Sequence, residues 1–324
     1  MSYQPPFSIT PAILQSVAEI CGLLGRWSVT GDTAFTPHLR RNNRIRTIQA
    51  SLAIENNTLS LAQVTAVIEG KHVLGLPREI QEVKNAFAAY EHLMDWQPAN
   101  IGDLLAAHGV LMAGLADDAG TFRASGVGIY RGQELVHMAP PPSRVPDLMS
   151  DLLAWVAQTD AHPLIASCVF HYEFEFIHPF SDGNGRMGRL WQTLILSEWQ
   201  TLLAYLPVET VIRDRQADYY QALGEADTAA DATPFIHFML QALLAAMQEA
   251  LAHTGSEKSS EKSSEKSSEK ILACLRQTPN LSARDIALKL SMSPRAVEKQ
   301  LAALKKAGRL QRIGAAKGGY WEVL

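Results

Sequence analysis

Apolar side chains recur at helical spacing through most of the first 250 residues. In "RIRTIQASLAIEN" the positions Ile45, Ile48, Leu52 and Ile54 share one face, and the pattern halts at the Asn56-Asn57 pair. "LSLAQVTAVIEG" closes on Gly70, the residue type suited to the position just past a helix. "PREIQEVKNAFAAYEHLMDW" opens at Pro77, where a missing N–H costs nothing, and "IGDLLAAHGVLMAGL" follows. The spacing predicts further helices over "DLMSDLLAWVAQ", "PLIASCVFHYEFEFI", "NGRMGRLWQTLILSEWQTLLAY", "RQADYYQALGEAD" and "TPFIHFMLQALLAAMQEALAHT". One stretch breaks the rhythm. "ADDAGTFRASGVGIYRGQELVHMAPPPSRVP" is rich in Gly and β-prone residues and predicts a hairpin from "GVGIY" to "ELVHM", closed by Pro140, Pro141 and Pro142.

"SEKSSEKSSEKSSEK", residues 256–270, is a four-residue repeat without an apolar side chain; it reads as a solvated linker, transiently helical at most. It separates a body at 1–255, containing a helix at about 44–56 and a core at about 100–250, from a small unit at 271–324. In that unit "ILACLRQTP" and "SARDIALKL" read as helices, and "SMSPRAVEKQLAALKKAGRL" as a third with Ser293 as N-cap, Pro294 in its first turn and Gly308 as its stop. "QRIGAAKGGYWEVL" alternates like a hairpin. The order is that of a winged helix-turn-helix. The fold class expected is therefore mainly α, with one hairpin in the body.

Charge adds a functional hint to this division. The 271–324 unit carries ten Lys/Arg against Asp285, Glu298 and Glu322, a net +7 that leaves the remainder at −11, since the whole chain carries −4. A basic unit on an acidic body suits an anionic partner for the tail, and Arg295, Lys299, Lys305 and Lys306 are the residues placed to touch phosphates, with Arg295 and Gln300 the candidates for reading base edges. Three scattered cysteines, Cys21, Cys168 and Cys274, offer no disulfide framework. "MSYQPPFSITP" lacks a basic stretch followed by an apolar one, and "LWQTLILSEWQTLLAYLPV" is broken by Gln, Ser and Glu, so the expectation is a cytoplasmic protein with a core helix there.

The chemistry concentrates in "IHPFSDGNGRMGRLW", from Ile177 to Trp191. A loop running into a helix N-terminus is an anion site, because unpaired backbone N–H groups and the helix dipole both point at the ligand. Gly183 and Gly185 allow close backbone approach, Asn184 can donate to a phosphate oxygen, and Arg186 and Arg189 sit three apart. Asp182 suits a Mg²⁺ bridging phosphate oxygens, and His178 suits a general base. Together they suggest transfer of a phosphate-containing group to a hydroxyl. No GxxxxGK[ST] occurs, so a nucleotide would be held without a P-loop. "HYEFEFIH" invites a metal reading through His171 and His178, but helical spacing sends Glu173 and Glu175 elsewhere, so His171 reads as a packed residue.

"HPFSDGNGRMGR" resembles the motif of the Fic family at every specified position, "GTFRASGVGIY" resembles its arginine-led hairpin flap, and "SLAIENN" resembles its inhibitory-helix motif, matched by Ser51, Glu55 and Asn56. The resemblance covers roughly Pro5 to Leu251. It implies a Fic-type helical core and transfer of AMP from ATP to a Tyr, Thr or Ser hydroxyl of a protein, self-modification included. His178 would be the base, Asp182 the Mg²⁺ ligand, and Gly183, Asn184, Gly185, Arg186, Met187, Gly188, Arg189 and Tyr219 the ATP site. Phe180 would be a buried anchor, and Val127, Gly128, Ile129 and Tyr130 the flap that pairs with the target. Glu55 would pair with Arg189 and repress the enzyme. Asp227 stands where the family often has Asn. Two other readings remain open: removal of AMP by the same site, and a DNA-binding regulator with a nucleotide-sensing body. Assembly into a homo-oligomer is open as well.

Overall fold

In a computed structural model of the chain, residues 3–29, 36–131, 134–314 and 318–324 are described; at 28–29, 129–131, 134–136 and 253–266 the description extends to the backbone alone. The chain divides into two compact units, Met1–Ala250 and Leu251–Leu324. The first is helical throughout apart from one hairpin: α1 (Pro11–Val29), α2 (Pro37–Ile54), α3 (Leu61–Ile68), α4 (Pro77–Glu91), α5 (Ile101–Leu111), β1 (Gly128–Arg131), β2 (Glu134–Met138), α6 (Val145–Gln158), α7 (Pro163–Ile177), α8 (Asn184–Trp199), α9 (Val208–Asp214), α10 (Gln216–Ala229) and the start of α11 (Thr233–Gln277). The chain is thus mainly α with a hairpin, as its periodicity predicts.

α7 is the central helix, and its sequence says why. "PLIASCVFHYEFEFI" is apolar on nearly every face, which suits a helix surrounded by others. His162 caps its start by accepting the Leu164 N–H at 3.2 Å, and Pro163 fills its first turn. α8 packs along it and buries Leu190, Trp191 and Leu194, with the Trp191 indole N–H satisfied by the Pro98 carbonyl at 2.9 Å. Phe180, in the short loop between α7 and α8, is fully buried against Phe122, Phe174 and His108. Truncating such a ring costs about 3–5 kcal/mol, so the loop is anchored to the core and not merely tethered at its ends.

α2 carries Ile45, Ile48, Leu52 and Ile54 inward, as its spacing predicts. Its buried face also holds an arginine, Arg44, whose guanidinium lies over the rings of Tyr90 and Tyr205 at 5.1 and 5.2 Å and donates to the Tyr90 carbonyl. α1 falls outside the elements predicted above, although Ile13, Ile20, Leu24 and Trp27 mark its buried face.

The second difference concerns 256–270. α11 does not stop near His253 but continues as helix to Gln277. The polar repeat contains no proline or glycine, so its backbone has nothing that stops a helix. The Thr233–Ala252 part of α11 is long and apolar enough to cross a membrane by composition, and Phe235, Ile236, Met239, Leu240 and Leu243 bury that surface within the first unit.

The second unit comprises the end of α11, α12 (Ala283–Leu290), α13 (Pro294–Lys306), β3 (Leu310–Ile313) and β4 (Tyr320–Val323), the strands pairing antiparallel. Ser282 caps α12 in a capping box with Asp285, and Ser293 caps α13. Ile271, Leu275, Ile286, Val297, Leu301 and Trp321 form its core.

Candidate active site

The end of α7 and the start of α8 meet at one cleft. His178 ends α7 in the left-handed conformation, φ +49°, a position that ordinarily favours glycine. That turn carries the imidazole into the cleft, which is lined also by Glu55, His137, Tyr219, Tyr220 and Asp227. Its backbone is tied down twice: its N–H donates to Phe174 O at 2.9 Å, and its carbonyl accepts from Arg123 Nε at 2.7 Å. Burial pushes the His178 pKa below the usual histidine range, against the opposing pull of Glu175, so the ring is neutral and able to accept a proton at neutral pH.

Gly183 precedes α8 with φ +85°, and a Cβ there would strike Met112 Sδ at 2.7 Å. Gly185 leaves room for Glu55 and Arg189, which a side chain would displace. Asp182 faces solvent on one side, at 43% exposed, and accepts from Gly183 N at 2.6 Å, Arg186 Nη2 at 3.0 Å and Arg78 Nη2 at 2.8 Å. Arg186 is otherwise buried, with Glu82 Oε1 of α4 at 3.6 Å from its Nη1. Glu82 is itself held by Asn57 Nδ2 at 2.8 Å.

Glu55 closes the α8 end of the cleft. Its Oε1 accepts from Arg189 Nη2 at 2.7 Å, across 134 residues of sequence. Arg189 also donates from Nη2 to the Ser51 carbonyl at 3.0 Å and from Nε to Ser51 Oγ at 3.1 Å, so the end of α2 makes three hydrogen bonds to one guanidinium. Burial opposes the charge on Arg189, but Glu55, Tyr219 and Glu175 outweigh it and hold the group firmly protonated. Asn56 terminates α2 with φ +67°, a conformation Asn tolerates better than most residues.

Four of the expected site residues make contacts of their own. Asn184 does not offer its amide outward: its Oδ1 accepts from Phe180 N and its Nδ2 donates to Phe180 O, both at 2.9 Å, so the side chain closes the loop. Met187 points into the core, and its N–H is spent on Gly183 O. Gly188 serves packing, since a Cβ there would meet Glu175 and His171 at 2.9 Å. Tyr219 is buried with its hydroxyl 3.2 Å from His171 Nε2, and both it and the more exposed Tyr220 line the cleft. Of the flap residues, Val127 accepts from Ala139 N at 3.1 Å and Gly128 pairs with Met138; the side chains of Ile129 and Tyr130 lie outside the described residues.

Several contributors carry no local signal. His108 is fully buried, stacked on Phe180 with ring centroids 3.6 Å apart. Its Nδ1 accepts from Gly120 N at 2.8 Å, which leaves the proton on Nε2 to be donated to the Asp182 carbonyl at 3.0 Å. Arg123 spreads over the carbonyls of His178, Ser125 and Pro140, joining the base of the hairpin to the α7 end. Arg78 and Glu82 come from α4, a helix with no motif to announce them.

On the second unit, Arg295 and Lys299 are exposed on one face of α13. Lys305 is drawn 6.0 Å over the Trp321 ring, while Lys306 continues the line of Arg295 and Lys299. Gln300 Oε1 accepts from Ser268 at 2.7 Å, which occupies one of the side chains expected to read base edges.

Comparison with known proteins agrees with this geometry. Residues 98–196 match the Fic/DOC family, and residues 268–320 match an HTH domain. The chain is 30% identical over 208 residues to Protein adenylyltransferase Fic of Nematostella vectensis and 29% identical over 215 residues to Protein adenylyltransferase fic-1 of Caenorhabditis elegans, aligning 59% and 61% of itself. It spans less than half the length of these relatives, 45% and 39%. Among solved structures, a Fic family protein from Desulfovibrio desulfuricans is 54% identical, with a TM-score of 0.78 over 99% of this chain and 98% of that one. With the motif loop, the α2 contact and an almost full-length relative in agreement, the chain belongs to the Fic family.

Proposed function

We propose that the chain is a protein adenylyltransferase that moves AMP from ATP to a Tyr, Thr or Ser hydroxyl of a protein, and that Glu55 holds it in check. The observation that carries this reading is the neutral His178 imidazole in a cleft that adjoins the α8 N-terminus, where Glu55 engages Arg189. The names of the relatives support the same reaction.

In this reading His178 takes the proton from the target hydroxyl as its oxygen attacks the α-phosphorus. The P–O bond to the β-phosphate breaks and pyrophosphate leaves. The backbone N–H groups at the start of α8 and Arg186 stabilise the charge on the phosphate oxygens. Asp182 is the residue suited to a divalent cation: its carboxylate is half open to solvent beside the helix mouth. Among the described residues no three His, Cys, Asp or Glu side chains gather as a ready cation site, so Mg²⁺ would draw its other oxygens from the polyphosphate and water. Such a cation would neutralise charge that develops on those oxygens. Glu55, held on Arg189, denies that guanidinium to the polyphosphate.

The test is intact-mass and peptide mass spectrometry of the protein after incubation with ATP and Mg²⁺. A gain of one AMP in Glu55→Gly that is small in the wild type and lost in Glu55→Gly/His178→Ala is the expected result. No gain in any variant, with a purified target present, sinks the reading.

We further propose that the second unit contacts nucleic acid through Arg295, Lys299 and Lys306, with Lys305 in a lesser role. The HTH match and the net charge of that unit support this. Binding should weaken as salt rises, and replacing any one of these cations by alanine should make that dependence shallower by about one counterion.

A further inference from the structure

β2 brings a titratable side chain to the cleft that the reaction above does not use. His137 stands opposite Ile129 in the hairpin register, and its side chain is 11% exposed. Nδ1 lies 3.0 Å from Asp227 Oδ2 of α10, and Nε2 lies 2.8 Å from the Phe176 carbonyl in the last turn of α7. Both partners are acceptors. A neutral imidazole has one N–H and would turn a lone pair toward one of these oxygens; the imidazolium donates to both. Asp227 is likewise fully engaged, because its Oδ1 accepts from the Tyr172 hydroxyl at 3.1 Å. The ring also packs on Phe176, centroids 4.8 Å apart.

We propose that His137 is a positioning residue, a latch whose protonated ring fastens the flap strand β2 to α7 and α10 and whose deprotonation frees it. The latch gives Asp227 a role: its carboxylate adds charge attraction to the hydrogen bond that the imidazolium donates. The titratable and charged groups facing His137 are Asp227 from α10 and Glu175 and His178 from α7 and its end, with Tyr172 acting through Asp227. Burial alone would lower the pKa of His137. Its bonds to Asp227 and the Phe176 carbonyl, with the fields of Asp227 and Glu175, outweigh burial and place it above the ordinary value. A folded-state pKa raised in this way stabilises the docked strand fully below the free value of about 6.5, and that contribution disappears as pH rises through the docked value.

The latch does not depend on the proposed reaction; only its effect on AMP transfer does. Long-range ¹H–¹⁵N NMR of the full chain, labelled at histidine and assigned with His137→Gln, tests it. The expected result is two protonated nitrogens on His137 at pH 6.5, deprotonation above that pH, and a lower pKa in Asp227→Asn. At one fixed pH near 6.5, His137→Gln should speed amide hydrogen exchange in Gly128–Met138 by at least about fivefold while α12 and α13 are unchanged. A neutral His137 at pH 6.5 overturns the proposal, and so does hairpin exchange that His137→Gln leaves unaltered. If transfer is measurable, its alkaline limb should vanish in His137→Gln with the acid limb retained. Failure of transfer alone, with the NMR and exchange results intact, would count against the reaction and not the latch.

Discussion

At the α8 end of the cleft a carboxylate from the end of α2 reaches Arg189, whereas at the hairpin end an imidazole from β2 reaches Asp227. Both contacts join a peripheral element to the α7–α11 core, and each closes one side of the same space. They differ in what can open them. The guanidinium keeps its proton under any physiological condition, so the Glu55 contact yields only when the end of α2 is withdrawn or a stronger anion displaces it. The imidazole can lose its charge, so the flap contact yields to the loss of a proton. One cleft thereby answers two kinds of signal.

The comparison breaks most completely at the floor both ends share. Phe180 sits between α7 and α8, its peptide clamped by Asn184 and its ring stacked on His108. Phe180→Ala should cost about 3–5 kcal/mol of stability, seen as a lower denaturation midpoint at unchanged slope. It should disorder His178 and Arg189 together, so that Glu55→Gly no longer raises labelling in the Phe180→Ala background. If the double variant still responds to Glu55→Gly, the two ends do not depend on this floor.

Glu55→Gly acts on one end only. Position 55 closes the last turn of α2, where glycine is well tolerated, so the fold should survive. Removal of the carboxylate frees Arg189 while the Ser51 contacts remain. Self-labelling with α-labelled ATP should rise by about 5- to 150-fold, the usual range for coupling between a regulatory and an active site. The hydrogen-exchange behaviour of the flap should be untouched. A rise in flap exchange of the same size would merge the two closures into one.

The two ends also differ in how far the sequence discloses them. The α7–α8 loop is legible because its chemistry is contiguous: a base, an acid, close-approach glycines and two arginines within a dozen residues, on a loop flanked by strong helical patterns. Glu55 and Ser51 are legible through family resemblance, since no local rule links them to Arg189. His137, His108, Arg78 and Glu82 are not legible, because each acts through a partner some 70 to 100 residues away and a long-range contact leaves no trace in spacing. The period of α1 is present in the chain without a motif to draw the eye, and α11 runs through a repeat that is polar without being helix-breaking.

The acid limb of the rate separates the two histidines. Burial lowers the His178 pKa and the neutral ring is the active form, so transfer by Glu55→Gly should fall only as pH drops through a value below about 6.5. The His137 contribution titrates on the other side of that value. An acid limb above 6.5 would mean that the base is not the buried imidazole at position 178.

The smallest effect is expected where a pair is exposed. Arg78 reaches Asp182 at 2.8 Å, a distance close to that of Glu55 on Arg189, but the side chains are 60% and 43% exposed against 35% and 1% for that pair. Solvent screening and side-chain entropy hold such a contact to about 0–1 kcal/mol, so Arg78→Ala should leave stability nearly unchanged. The guanidinium that this substitution removes also competes with any cation for the same carboxylate. Mn²⁺ binding, followed by water-proton relaxation, should therefore tighten, and by no more than about fivefold, because 1 kcal/mol sets the ceiling. Weaker Mn²⁺ binding in the presence of ATP, with binding to the nucleotide-free protein unaltered, would show that Arg78 grips the polyphosphate. It would then belong with Arg186 as part of the site, and distance alone would have been the better guide than exposure.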